Sequence, residues 1–136
     1  LPRRERPRCH EGTDSQEIDM PERVLVVEDE PLIAFDVADH LRQAGFEIVG
    51  PATSVSAALK LLESQGCDLA VLDVNLGRET AAPIADVLHS KSLPFVALSG
   101  YSSEQLPEIF QRAPMLTKPV DSKKLVHLLR GCLQSR

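Results

Sequence analysis

The segment Leu69-Ala70-Val71-Leu72-Asp73-Val74-Asn75 constrains this chain more than any other stretch. It is a short apolar run, bounded by Gly66-Cys67-Asp68 before it and by Asn75 and Gly77 after it. That pattern predicts a strand covered on both faces, because a strand with one face in water alternates apolar with polar side chains. Such a strand needs a layer above and a layer below, and it carries the carboxylate of Asp73 to its end. In an open parallel sheet the ligand crevice lies outside the carboxyl ends of the strands. Asp73 is therefore placed for chemistry, although an aspartate taken alone serves at least as well to solvate a turn. The other segments decide between these readings.

In chain order, Arg23-Val24-Leu25-Val26-Val27 predicts a first strand that ends in three consecutive acids, Glu28-Asp29-Glu30. Pro31 opens a helix, where its missing N–H costs nothing. Ile33, Val37, Leu41 and Ala44 recur at helical spacing and give the inward stripe, Gly45 closes the helix, and Phe35 lies off the stripe. Phe46 to Val49 is the second strand, expected to stop at Gly50-Pro51. A helix from about Val55 to Glu63 follows, capped by Ser54, with Ala58, Leu59 and Leu62 facing inward. After the Asp73 strand come a Gly77-containing loop and a helix from about Ala82 to Ser90, in which Ile84, Val87 and Leu88 are apolar. Phe95-Val96-Ala97-Leu98 is the fourth strand, ending at Ser99-Gly100-Tyr101. Met115-Leu116-Thr117 is the fifth, ending at Lys118-Pro119. Asp121 caps a last helix whose apolar face is Leu125, Leu128, Leu129 and Cys132. Five strands alternating with helical segments predict an α/β fold with a parallel sheet, since each parallel connection needs a long right-handed crossover.

Between Tyr101 and Pro114 the sequence has room for at most a short helix. A helix capped at Ser102 or Ser103 would place Pro107 where an intrahelical N–H is required, at a cost of about 3 kcal/mol. One beginning at Pro107 has little more than a turn before Ala113-Pro114. Leu106, Ile109 and Phe110 are accordingly expected to be loosely held, in a segment that orders on signalling.

With 136 residues and 43% hydrophobic content the chain fits one domain, residues 21–136. Residues 1–20 are rich in Arg, Pro and acids and are expected to form a disordered extension. A net charge of −5, with no basic stripe interleaved with aromatics, argues against nucleic acid as a partner. No apolar run approaches the roughly 20 residues that span a bilayer, so no membrane partner and a cytoplasmic location are expected. Cys9, Cys67 and Cys132 are an odd set without metal-ligand spacing, which suits reduced structural thiols.

Glu28 and Asp29 end the first strand, Asp73 the third, Ser99 the fourth and Lys118 the fifth. A parallel sheet brings all these ends to one edge. Carboxylates crowded together repel one another unless a cation neutralises them, and hard oxygen donors with room for water suit Mg²⁺. Beside such an ion Asp73 can act as a nucleophile toward a phosphoryl group. Lys118 and the Ser99 hydroxyl then hold the remaining phosphoryl oxygens. Each residue alone has an ordinary explanation, as helix-start charge, turn former or solvated cation. The set at four strand ends does not.

From about Arg23 to Leu133 the chain resembles the receiver domain of response regulators in bacterial two-component systems. The matching motifs are Val26-Val27-Glu28-Asp29-Glu30, Leu72-Asp73, Ala97-Leu98-Ser99-Gly100 and Thr117-Lys118-Pro119. The resemblance implies a flavodoxin-like, doubly wound sheet of order 2-1-3-4-5, with Asp73 as phosphoacceptor. It implies Mg²⁺ held by Asp29, Asp73 and the backbone carbonyl of Asn75, with Glu28 acting through water. It further implies a cis peptide between Lys118 and Pro119. The donor would be a sensor histidine kinase, the HWE type among the candidates, or a phosphotransfer protein, and the reader a downstream protein partner. Such a domain accepts a phosphoryl group and catalyses at most its own dephosphorylation, so it is not an enzyme in the usual sense.

Receivers usually carry an aromatic switch three residues before the lysine, and that position is Met115. Pro94-Phe95-Val96-Ala97-Leu98-Ser99-Gly100-Tyr101 resembles instead the stand-alone subgroup marked by a Phe-Ala-Thr-Gly-aromatic signature, with Leu98 and Ser99 replacing Ala and Thr. Tyr101 is then the expected switch partner of Ser99. With about four residues after the last helix, a separate output protein is expected, or a role as phosphate sink or shuttle. Three competing readings are weaker. A flavin-binding module needs a hydroxyl- and glycine-rich loop where Glu28-Asp29-Glu30 stands. A phosphohydrolase needs an acid/base residue where Asn75 stands. A pseudo-receiver would not keep every phosphorylation residue.

Overall fold

Runs of β-branched and leucine residues form the strands and amphipathic segments form the helices that cover them. The computed structural model describes residues 21–100 and 106–134. Five strands, β1 (Arg23–Val27), β2 (Glu47–Ala52), β3 (Leu69–Asp73), β4 (Phe95–Ser99) and β5 (Met115–Thr117), pair in parallel in the order β2-β1-β3-β4-β5. Four helices connect and close them: α1 (Pro31–Gln43), α2 (Val55–Ser64), α3 (Ala82–Ser90) and α4 (Ser122–Gln134). This is the flavodoxin-like receiver fold predicted from the alternation of elements, with the expected 2-1-3-4-5 order.

Side chains alternate across the pleat, so each strand feeds two cores. Leu25, Val27, Ala70, Leu72 and Ala97 face α2 and α3, against Ala58, Leu62, Ile84 and Leu88. Val24, Val26, Val71, Val96 and Leu98 face α1 and α4, against Val37, Leu41, Leu125 and Leu129. All five residues of β3 and of β4 are buried, as the unbroken apolar run of β3 required. Each buried Val, Leu or Phe side chain among them contributes roughly 1.5–3 kcal/mol relative to exposure. Ser54 caps α2 by accepting the N–H of Ala57 at 3.1 Å, and Asp121 caps α4 by accepting those of Lys123 and Lys124. Among the described residues no helix is long and apolar enough to cross a membrane.

Four local expectations are corrected. The α1 stripe centres on Ala34, Val37, Ala38 and Leu41, while Ile33 and Ala44 are half-buried at its rim. The second strand does not stop at Gly50-Pro51; it runs through that cis peptide to Ala52, with the register against β1 shifting between Leu25 and Val27. Gly50 permits this because its φ is +100° and a Cβ there would lie 2.8 Å from Ala52 N. The Gly77 loop is a small hairpin in which Asn75–Leu76 pairs antiparallel with Glu79–Thr80. Finally, Phe110 is not loosely held. Glu108–Phe110 forms a single 3₁₀ turn, the short helix that Pro107 allowed, but Phe110 is 0% exposed and meets Phe95 edge-on, centroids 5.9 Å apart. Pro107 limits the helix, while the ring finds a core position that periodicity did not reveal. Residues 1–20 and the possible caps Ser102 and Ser103 lie outside the described residues.

Phe110→Ala is expected to destabilise the fold by about 3–5 kcal/mol through the lost transfer energy and the cavity left beneath β4. Urea unfolding of the two proteins at one pH measures it, and a loss below 1 kcal/mol would contradict the packing.

Candidate functional site

The sheet order sets the site. β1 and β3 are neighbours, so the acids that follow one and end the other meet at the carboxyl edge. Glu28 is fixed there by its backbone N–H, which donates to Ala52 O at 3.0 Å and extends the β1–β2 ladder past the shift. Glu28 is 1% exposed, Asp73 4% and Ser99 5%, whereas Asp29 is exposed. Carboxylate oxygens of Glu28, Asp29 and Asp73 all lie within 4.8 Å of one another.

Lys118 supplies the cation. Its backbone N–H donates to Ser99 O at 2.8 Å, carrying the β4–β5 ladder past Thr117, and its peptide to Pro119 is cis, as the resemblance implied. The ammonium reaches across the sheet edge to donate to Asp73 Oδ2 at 2.9 Å and to Glu28 Oε2 at 3.2 Å. Oε1 of Glu28 is also 2.9 Å from Nζ, yet it is buried without an aligned hydrogen bond. Glu30 N–H donates to Glu28 Oε2 at 3.1 Å, and Asn75 N–H makes a long 3.4 Å contact to Asp73 Oδ1.

Burial pushes the Glu28 carboxyl above its usual range, against the hydrogen bonds from Lys118 and the Glu30 N–H, and repulsion from Asp73 adds to the rise. Burial also works against the charged form of Lys118, but its bonds to Glu28 and Asp73 outweigh it and the ammonium is held above its ordinary value. Three acids and one cation leave the cluster short of positive charge. An all-oxygen donor set, one exposed carboxylate to keep water access and a Glu28 Oε1 without an aligned hydrogen bond together fit a small hard cation such as Mg²⁺. Gly77 sits beside this cluster, where a Cβ would stand 4.0 Å from Asp29 Oδ2.

The profile of the response regulator receiver domain matches residues 24–130. The chain belongs to that family. The transcriptional regulatory protein PdtaR of Mycobacterium tuberculosis is 37% identical over 111 residues, which cover 79% of this chain and 54% of PdtaR. This receiver thus spans about half the length of that relative. The solution structure of SdrG from Sphingomonas melonis Fr1 is 36% identical with a TM-score of 0.73, covering 85% of this chain and 98% of that one. A CheY-like receiver from Methanospirillum hungatei JF-1 shares the fold at TM-score 0.76 and 21% identity, over 85% and 95% of the two chains. Receiver domains are signalling domains of two-component systems, not classical enzymes. They generally bind Mg²⁺ in an acidic pocket and interact with histidine kinases and downstream partners.

In this receiver Glu28, Asp29, Asp73 and Lys118 converge as the sequence predicted, with Ser99 adjoining through the Lys118 backbone bond. Asn75 begins the hairpin, exposed, with its N–H toward Asp73. Met115 is half-buried on the edge strand opposite Ala97 and packs on the α2–α3 core. Tyr101 lies outside the described residues. Sequence reasoning missed Glu79, whose Oε2 accepts the Val55 N–H at 3.4 Å and links the hairpin to the start of α2. No local pattern announces a contact made across 24 residues.

Lys118→Met is expected to cost roughly 1–3 kcal/mol at pH 7.5, because it strands the buried acceptors of Glu28 and Asp73. Without the ammonium the Glu28 carboxyl, already pushed up by burial, rises further. The folded state then takes up a proton that the unfolded state does not, and the deficit shrinks as pH falls toward 5.5. Mg²⁺ at pH 7.5 is expected to shrink it as well. Denaturant titrations of both proteins across that range check it; a deficit independent of pH and Mg²⁺ would contradict the electrostatic reading.

Proposed function

We propose that this receiver accepts a phosphoryl group on Asp73 from the phosphohistidine of a sensor kinase or phosphotransfer protein, and that a downstream protein reads the modified state. The observation that supports this most is the buried Asp73 carboxylate, at a strand end with Lys118 Nζ 2.9 Å from Oδ2 and two further acids within 4.8 Å. An oxygen of Asp73 forms the new P–O bond as the P–N bond to the donor imidazole breaks, and the electron pair leaves on the ring nitrogen, which takes a proton. The Lys118 ammonium, fixed by its backbone bond to Ser99, moves its hydrogen bond from the carboxylate to a phosphoryl oxygen as charge shifts outward. The Ser99 hydroxyl donates to a second oxygen. Glu28 through water, Asp29, Asp73 and the Asn75 carbonyl would hold Mg²⁺, which when bound screens the attacking carboxylate from the incoming oxygens.

Met115 offers no ring to turn inward. In this reading the response to phosphorylation passes from Ser99 to Tyr101, in keeping with the Phe-Ala-Thr-Gly-aromatic subgroup that Pro94 to Tyr101 resembles. Intact mass after incubation with acetyl phosphate is expected to rise by one phosphoryl group with Mg²⁺ present and not without it. Asp73→Asn is expected to abolish the gain while leaving the fold intact, since an amide has nearly the same shape and is a poor nucleophile. A phosphoryl group on the Asp73→Asn protein, or none on the unaltered one, would overturn the assignment.

A further inference from the structure

Helix α4 carries Lys123, Lys124, His127 and Arg130 and no aspartate or glutamate across Ser122–Gln134, in a chain whose formal net charge is −5. Lys123, His127 and Arg130 follow at i, i+4 and i+7 and so share one face. That face borders a cleft of about 400 Å³ between α1 and α4, lined by His40, Ser122, Lys123, Val126, His127 and Arg130. None of the six is an acid. Carboxylates stand at its margins: Asp121 Oδ1 accepts the Lys123 and Lys124 N–H groups at 2.9 and 3.3 Å, Asp39 Oδ2 accepts from Gln43 at 2.8 Å, and Glu22 lines the adjoining hollow with Arg130. Asp36 Oδ1 stands 3.7 Å from His40 Nδ1. Arg130 is preorganised, since its Nη2 donates to Ala44 O at 2.9 Å and its guanidinium lies 6.0 Å from the Phe46 ring centroid.

We propose that this cleft docks an acidic peptide segment of a partner protein, in extended form with carboxylates at alternate positions. The spacing carries the choice of an extended segment. Alternate residues of an extended chain lie about 6.6 Å apart, close to the roughly 5–6 Å between Cβ atoms of i, i+4 neighbours on a helix. Successive carboxylates therefore meet Lys123 and His127, with the preorganised Arg130 next along the face. A single small anion would engage only part of this row, and the cleft has room for several side chains. The surface lies apart from the phosphoacceptor residues, so docking here does not depend on the assignment of Asp73.

A fluorescein-labelled peptide of five Glu-Ser repeats, followed by anisotropy and by ¹H–¹⁵N shift mapping on the full chain, tests the proposal. Binding is expected to shift His40, Lys123, His127 and Arg130 and to weaken with added salt. Lys123→Ala/His127→Ala is expected to weaken it about tenfold, whereas Lys60→Ala/Arg112→Ala, which removes two exposed cations elsewhere, leaves it unchanged. A peptide of Lys-Ser repeats is expected not to bind. Absence of binding at low salt, shifts confined to the arginine-rich residues 1–20, or an equal loss in both variants would each overturn the assignment. Labelling of the Lys123→Ala/His127→Ala protein by acetyl phosphate, expected to match the unaltered chain, separates this outcome from any failure at Asp73.

Discussion

A carboxylate taken out of water remains an anion only if something positive stands beside it. Glu28 and Asp73 are both nearly inaccessible and both lean on one ammonium, that of Lys118. The three residues come from chain segments 45 positions apart or more, so the cluster exists only because the sheet places β1 next to β3 and carries Lys118 back over the edge from β5. One cation against three acids is an unfinished neutralisation. The deficit makes the site receptive to a divalent cation, and Glu28 Oε1, 2.9 Å from the ammonium but without an aligned hydrogen bond, keeps lone-pair capacity toward it.

The rest of the fold serves this placement. β3 can bring a carboxylate into the interior because helices seal both faces of the sheet, which is why its residues need no polar alternation. The bulge in β1–β2 at Gly50 has a positional consequence, since beyond it the Glu28 N–H bonds to Ala52 O instead of following the earlier register. Ser99 and Lys118 are coupled in the same way, by a backbone bond one step past the paired Ser99 and Thr117. Glu28, Asp73, Ser99 and Lys118 thus each stand one residue beyond a ladder or at its last rung, anchored by main-chain geometry and free to present a polar end at the edge.

Much of this was legible in the sequence because each element carried its own signal. The apolar run before Asp73, the β-branched run before Glu28-Asp29-Glu30, Pro31 at a helix start and Ser54 at a cap all act locally, and periodicity reads local effects. The joint presence of acids, a hydroxyl and a lysine at four strand ends then located the site. What escaped was set by contacts across the chain. Gly50-Pro51 carries the usual signature of a strand stop, yet pairing of Ala52 with Val27 overrides it. Phe110 sits in a segment broken by Pro107 and Pro114, and its packing on the Phe95 ring within the α2–α3 core makes that position core. The basic cleft between α1 and α4 left a trace, a 13-residue helix without an acid, whose meaning needs the position of His40 opposite.

The burial of Phe110 also bears on how the site can communicate with the surface. With that ring packed edge-on against Phe95, the turn between β4 and β5 is fastened to the strand whose end carries Ser99. Met115, flexible and half-buried on the edge strand, fills space without the defined geometry of a ring, so it cannot mark two states by two orientations. A displacement at Ser99 has two main-chain routes open to it, one along the chain at Gly100 and one through the Ser99 O to Lys118 N–H bond toward the start of α4. The second route leads to Ser122 at the rim of the basic cleft, four residues past the ammonium that holds the site together.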